Sequence, residues 1–160
     1  MIAYADRNIA AQGGDVVLAR TIWAEARDQA EIGQITVAYC IKHRAEIAKA
    51  YIAKHDEPHS LFGDGTVEGA CLSSFRGVHQ FSCWNETDPN RLKALQADHN
   101  DPTFCKAQQI ARDVIAGKVP DRLPGYTHYY NPEIVKTPPG WAKGLKYMSV
   151  GSHRFFRDVP

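Results

Sequence analysis

Three short stretches carry residue types able to do acid–base chemistry or to hold a ligand. The first, I-W-A-E-A-R-D-Q from Ile22 to Gln29, sets the carboxylate of Glu25 among apolar neighbours. At about 100° per residue, Arg20 and Arg27 fall within about 20° of each other and are expected to mark the solvent side of a helix. Glu25 lies nearly opposite, in line with Leu18 and Ile22, so it faces either the core or a cleft floored by that helix. Desolvation there disfavours the charged carboxylate and raises its pKa, as a general acid near neutral pH requires. The competing reading is a structural glutamate paired with Arg44, which sits on the apolar side of the following helix.

The second stretch, Gln80 to Trp84 (QFSCW), and the third, Thr127 to Pro132 (THYYNP), mix flat aromatic faces with short polar side chains. Flat rings of a ligand stack on the former, and its hydroxyl and amide groups bond to the latter. Gln80, Phe81, Ser82, Trp84, Tyr129, Tyr130 and Asn131 are therefore the expected substrate contacts. If the segments are extended, neighbours face opposite ways, and about half of these aromatic residues belong to the core instead.

The elements that must position these residues follow from period and punctuation. Gly13-Gly14-Asp15 is expected to open a helix running to about Asp28, with Asp15 as N-cap. Gly33 is expected to interrupt it, and Gln34 to about Lys54 to form a second helix with Val37, Ala38, Ile41, Ala45, Ala48 and Ile52 on one side. His55 to Gly77 reads as loops with short strands. Asp101-Pro102 starts another helix, with Phe104, Ala107, Ile110, Ala111, Val114 and Ile115 as its buried stripe, ended by Gly117 and Pro120. Loops and short extended pieces follow to the end. The fold class expected is α+β, mostly helical, in a single domain over residues 1–160 with a small β or loop-rich part.

Bulk properties narrow the partners. The 160 residues suffice for one buried core. Lys plus Arg (19) nearly balance Asp plus Glu (18), so no basic surplus points to nucleic acid. No apolar run has the length of a membrane span. MIAYADRNIAAQGGD lacks the apolar stretch of a signal peptide, so synthesis in a cytoplasm without a cleaved leader is expected. The four cysteines (Cys40, Cys71, Cys83, Cys105) form no CxxC pair and are expected to stay reduced, Cys40 as a small core residue. His55 and His59 have the spacing of two zinc ligands, but Pro58 between them breaks a helical turn and no third ligand is evident. No metal or other cofactor is expected, and the chain is expected to be a monomer. A non-catalytic binding module would use the same aromatic loops, but it gives no reason to aim Glu25 at an apolar face.

The run from Ala19 through Arg44 (A-R-T-I-W-A-E-A-R … G-Q-I-T-V-A-Y-C-I-K-H-R), with QFSCW, THYYNP and GSHRFF (Gly151–Phe156) in order, resembles the SleB-like, spore-cortex-lytic type of cell wall hydrolases. The resemblance implies a lysozyme-like or lytic-transglycosylase-like domain that cleaves the glycan strands of peptidoglycan, with Glu25 as the catalytic acid. Arg44 is expected to brace the fold or a nearby loop, and His153, inside GSHRFF, to be structural. The chain departs from the family at Gln29, where relatives often carry a second glutamate, at His43 in place of an asparagine, and at Tyr126 in place of a small residue. The segment from His55 to Ser74 has no clear counterpart. A phage or prophage endolysin, released through a holin-made lesion, would reconcile a wall substrate with the N-terminal reading.

Overall fold

The computed structural model describes residues 6–160; the first five residues of the N-terminal stretch discussed above lie outside them. Six α-helices take up a little under half of the described residues: α1 (Arg7–Ala10), α2 (Gly14–Ala26), α3 (Glu31–His55), α4 (Val67–Cys71), α5 (Pro89–Gln96) and α6 (Pro102–Ile115). A hairpin pairs β1 (Ser74–Phe75) with β2 (Val78–His79), and an antiparallel sheet joins β3 (His128–Tyr130), β4 (Met148–Val150) and β5 (His153–Phe156) in the order β3-β5-β4. This is the mostly helical α+β architecture expected. Among the described residues no helix is long and apolar enough to cross a membrane.

The core lies where α2 meets α3, α4 and α6. Val17, Leu18 and Ile22 of α2 are fully buried against Val37, Ala38 and Ile41 of α3 and Ala111 and Val114 of α6. The start of α6 follows its sequence: Asp101 caps the N-terminus by accepting from Thr103 N, and Pro102 fills the first helical position. Its stripe is correct except for Ile115, which is exposed.

Several boundaries differ from expectation. Gly13, not Asp15, is the N-cap of α2; Asp15 lies in the first turn and pairs with Arg112 of α6 at 3.1 Å. Gly33 does not break α3 but lies within its first turn, because tertiary packing outweighs roughly 1 kcal/mol of glycine propensity. Arg20 does not mark a solvent face. It donates to the carbonyls of Ala94 and Ala97, taking up the last carbonyls of α5. The stretch read as loops from His55 to Gly77 contains α4, capped by Thr66, and the tight bridge between His59 and Gly63. Gly63 has φ +86°, and a Cβ there would stand 2.5 Å from the Gly69 carbonyl oxygen, so only glycine fits. The same stretch carries Phe62 into the interior beside Arg44.

Candidate active site

Glu25 sits one turn beyond the buried Ile22, where α2 passes from the core to the floor of a cavity of about 370 Å3. Ser82 and Cys83 border it on one side and Tyr129, Tyr130, Asn131 and His153 on the other; Ala24, Asn90, Ile134 and Val135 complete the wall. Glu25 keeps partial exposure to this groove while protein encloses the rest of its carboxyl. Burial raises its pKa above the ordinary carboxylate range. The Cys83 thiol and backbone N–H and the Tyr129 hydroxyl donate to it and offset part of that rise, while the charge of Asp88 adds to it. The Tyr129 hydroxyl lies 3.1 Å from Oε2.

Two consecutive residues of α3 hold Tyr129 in place. Arg44 Nε donates to the Thr127 carbonyl at 2.6 Å, and His43 Nδ1 lies 2.8 Å from the Tyr126 carbonyl, with Nε2 2.8 Å from Asp121. The chain entering β3 is thereby pinned to the helix, and two residues later Tyr129 points at Glu25. Arg44 is stacked over Phe81 (4.7 Å) and Phe62 (5.4 Å), and it makes no ion pair with Glu25 among the described residues. Its contacts run to the loop before β3 and to the Phe62 and Phe81 rings. His153 is buried with its ring edge-on to Tyr129 at 5.2 Å; burial lowers its pKa, and its Nδ1 has no hydrogen-bond partner among the described residues. Gln29 ties the β4–β5 turn to the end of α2. Its Nε2 donates to Ser152 Oγ at 2.8 Å and its Oε1 accepts from Ser152 N at 3.1 Å.

The expected contacts divide. Ser82, Tyr129, Tyr130 and Asn131 border the groove with Glu25. Asn131 also bonds inward, to Ser152 Oγ at 3.1 Å. Trp84 must be corrected: it is fully buried, with Nε1 donating to Thr21 Oγ1 at 3.1 Å, and cannot stack on a sugar. Phe81 is also core, and Gln80 is outside the groove wall, its backbone N–H bonded to Ser73. The reason is local. Ser82–Trp84 is a 3-10 turn, not a strand, so Phe81, Cys83 and Trp84 all turn inward and only Ser82 faces out. Cys83, at the heart of the site, was weighed in the sequence only for its redox state. A lone thiol inside an aromatic motif was the available signal. His55 stacks on Tyr51, and His59 Nδ1 takes the backbone N–H groups of Leu61 and Phe62.

The family model described as Cell Wall Hydrolase matches residues 28–156. The chain belongs to that family. Enzymes of the cell wall hydrolase family act on peptidoglycan, and the matched span carries Ser82, Cys83, Tyr129, Tyr130, Asn131 and His153. It begins three residues after Glu25, so the role of that carboxyl rests on its surroundings and on the resemblance of the Ala19–Arg44 run. No curated protein and no solved structure matches the chain.

Proposed function

We propose that this cell wall hydrolase cleaves the glycan strand between N-acetylmuramic acid and N-acetylglucosamine, with Glu25 as general acid and then general base. One observation carries the reading: a carboxyl whose pKa is raised by burial opens onto a groove bordered by tyrosines and short polar groups. The reaction favoured is that of a lytic transglycosylase. Glu25 gives its proton to the glycosidic oxygen as the C1–O bond breaks. The resulting carboxylate takes the proton of the muramic acid 6-hydroxyl, whose oxygen closes on C1 to leave a 1,6-anhydro end. No second carboxylate and no water enter, which suits a groove in which Glu25 is the only carboxylate among the described bordering residues. Paired carboxylates would serve a hydrolase instead, about 5 Å apart for retention and roughly 6.5–9.5 Å for inversion.

Mass spectrometry of released muropeptides tests this. Anhydro ends are expected. Reducing muramic acid ends would turn the reading to a muramidase that draws on water, and freed peptides with intact glycan would overturn it. Delivery through a holin-made lesion, as a phage or prophage endolysin, goes with the reading. Co-expression with and without a holin, scored by culture lysis, tests that step.

A further inference from the structure

Tyr130 belongs to two cavities. One side closes the Glu25 groove; the other walls a second cavity of about 470 Å3 on the far face of the β3-β5-β4 sheet. Strand register explains the double role. Tyr129 pairs with Phe155 and packs on the helical core, while Tyr130 pairs with Arg154 and joins Phe156 and Ala142 in a separate aromatic cluster. Phe156 and Ala142 line the second cavity from below, and Tyr147, 46% exposed, flanks it.

The charges there have one sign. Lys143 and Arg154 border the cavity, and no carboxylate does among the described residues. Neither cation makes an ion pair among those residues. Arg154 is instead held between aromatic groups, its guanidinium 4.6 Å above the Tyr147 ring and Nη1 3.5 Å from the Tyr130 hydroxyl. A planar donor fork, fixed in place and lacking an anion, at the edge of an apolar basin suits a carboxylate on a short, partly apolar chain.

We infer that this second cavity binds the carboxylate-bearing stem peptide of peptidoglycan, with Arg154 and Lys143 holding its anionic groups and Tyr147 and Phe156 contacting its aliphatic parts. The inference rests on peptidoglycan being the substrate. The stem peptide hangs from the muramic acid that the adjoining groove would hold, and Tyr130 forms the partition that both parts of one ligand would touch.

The test is binding of a free synthetic stem tetrapeptide to the full chain, read by the fluorescence of Trp141, which packs on Tyr130 and Phe156. Saturable binding that weakens with salt is expected. Arg154→Gln and Lys143→Gln should each lower affinity about tenfold, the scale of a lost charged hydrogen bond, and Arg154→Lys should recover part of it. The same peptide with its carboxylates amidated should not bind. In turnover, Arg154→Gln should reduce about tenfold the preference in kcat/KM for peptide-bearing over peptide-stripped glycan. Absent binding, equal binding by Arg154→Gln, or equal binding of the amidated peptide would each overturn the inference. Binding needs no turnover, so a muropeptide profile that refutes glycan cleavage would leave this result standing by itself.

Discussion

Two acids set into the protein interior, Asp6 and Glu25, meet different fates. Asp6 is 1% exposed and accepts from Arg91 Nη2 at 3.1 Å and from His79 Nε2 at 2.8 Å, beside a cavity of about 530 Å3 that also touches Asn85 and Glu86. Glu25 is less enclosed, yet its direct donors are neutral, a phenol and a thiol with its backbone N–H. A guanidinium compensates a carboxylate's charge; neutral donors only soften the cost of burying it. The size of the cavity does not distinguish the two regions. The charge of the partner does, and it makes one acid a strut and leaves the other able to hold a proton.

Removing either acid separates the two most sharply. Glu25→Gln should fold and lose activity by about 10³-fold or more, within the usual range for a general acid; retained lysis by that variant would remove Glu25 from its role. The same variant should gain stability at neutral pH. A carboxyl with a raised folded-state pKa contributes stability below its unfolded value, near 4.3, and loses it as pH rises through the folded one. The Tm advantage of Glu25→Gln should thus be present at pH 8 and vanish by pH 4. Asp6→Asn should instead destabilise the fold, by about 3 kcal/mol in denaturant unfolding, because the half-buried Arg91 and His79 lose the buried carboxylate they both bond, while kcat of the folded enzyme changes little.

Smaller changes tune the acid itself. Tyr129→Phe deletes a donor that favours the carboxylate, so the Glu25 pKa should rise further. Activity of a general acid fails as pH climbs through its pKa, so the alkaline limb of the pH–rate profile should move to higher pH. Asp88→Asn should move that limb the other way by less, since a distant negative charge is removed while an asparagine still caps α5. Both limbs moving together would mean that the profile reports another group. Alkylation at pH 8 should show the smallest effect. Cys40 and Cys71, pushed up to about 12 by burial, and Cys83, raised well above the usual thiol range, should resist iodoacetamide, while the half-buried Cys105 reacts.

Much of the helical scaffold was legible because helical period and caps are local signals. The face of α2 that carries Leu18, Ile22 and Glu25 followed from angle alone, and the Asp101-Pro102 start of α6 from capping chemistry. What failed was local structure with no period to read. An extended QFSCW would put neighbours on opposite faces, but a 3-10 turn sends Phe81 and Trp84 inward together. Helix α5 was invisible in a polar eight-residue segment whose one fully buried apolar side chain is Ala94.

The sequence by itself determined that an acid would lie on the apolar side of a helix and that tyrosines and short polar residues would be available for sugar. Residue type and a 100° step suffice for that. Only the tertiary structure decided which groups meet the acid. His43 and Arg44 grip the carbonyls of Tyr126 and Thr127 from more than eighty residues away, and this grip points Tyr129 and not Tyr130 at Glu25. No local rule carries such a choice, because a strand's two faces become distinguishable only once a core is packed against one of them.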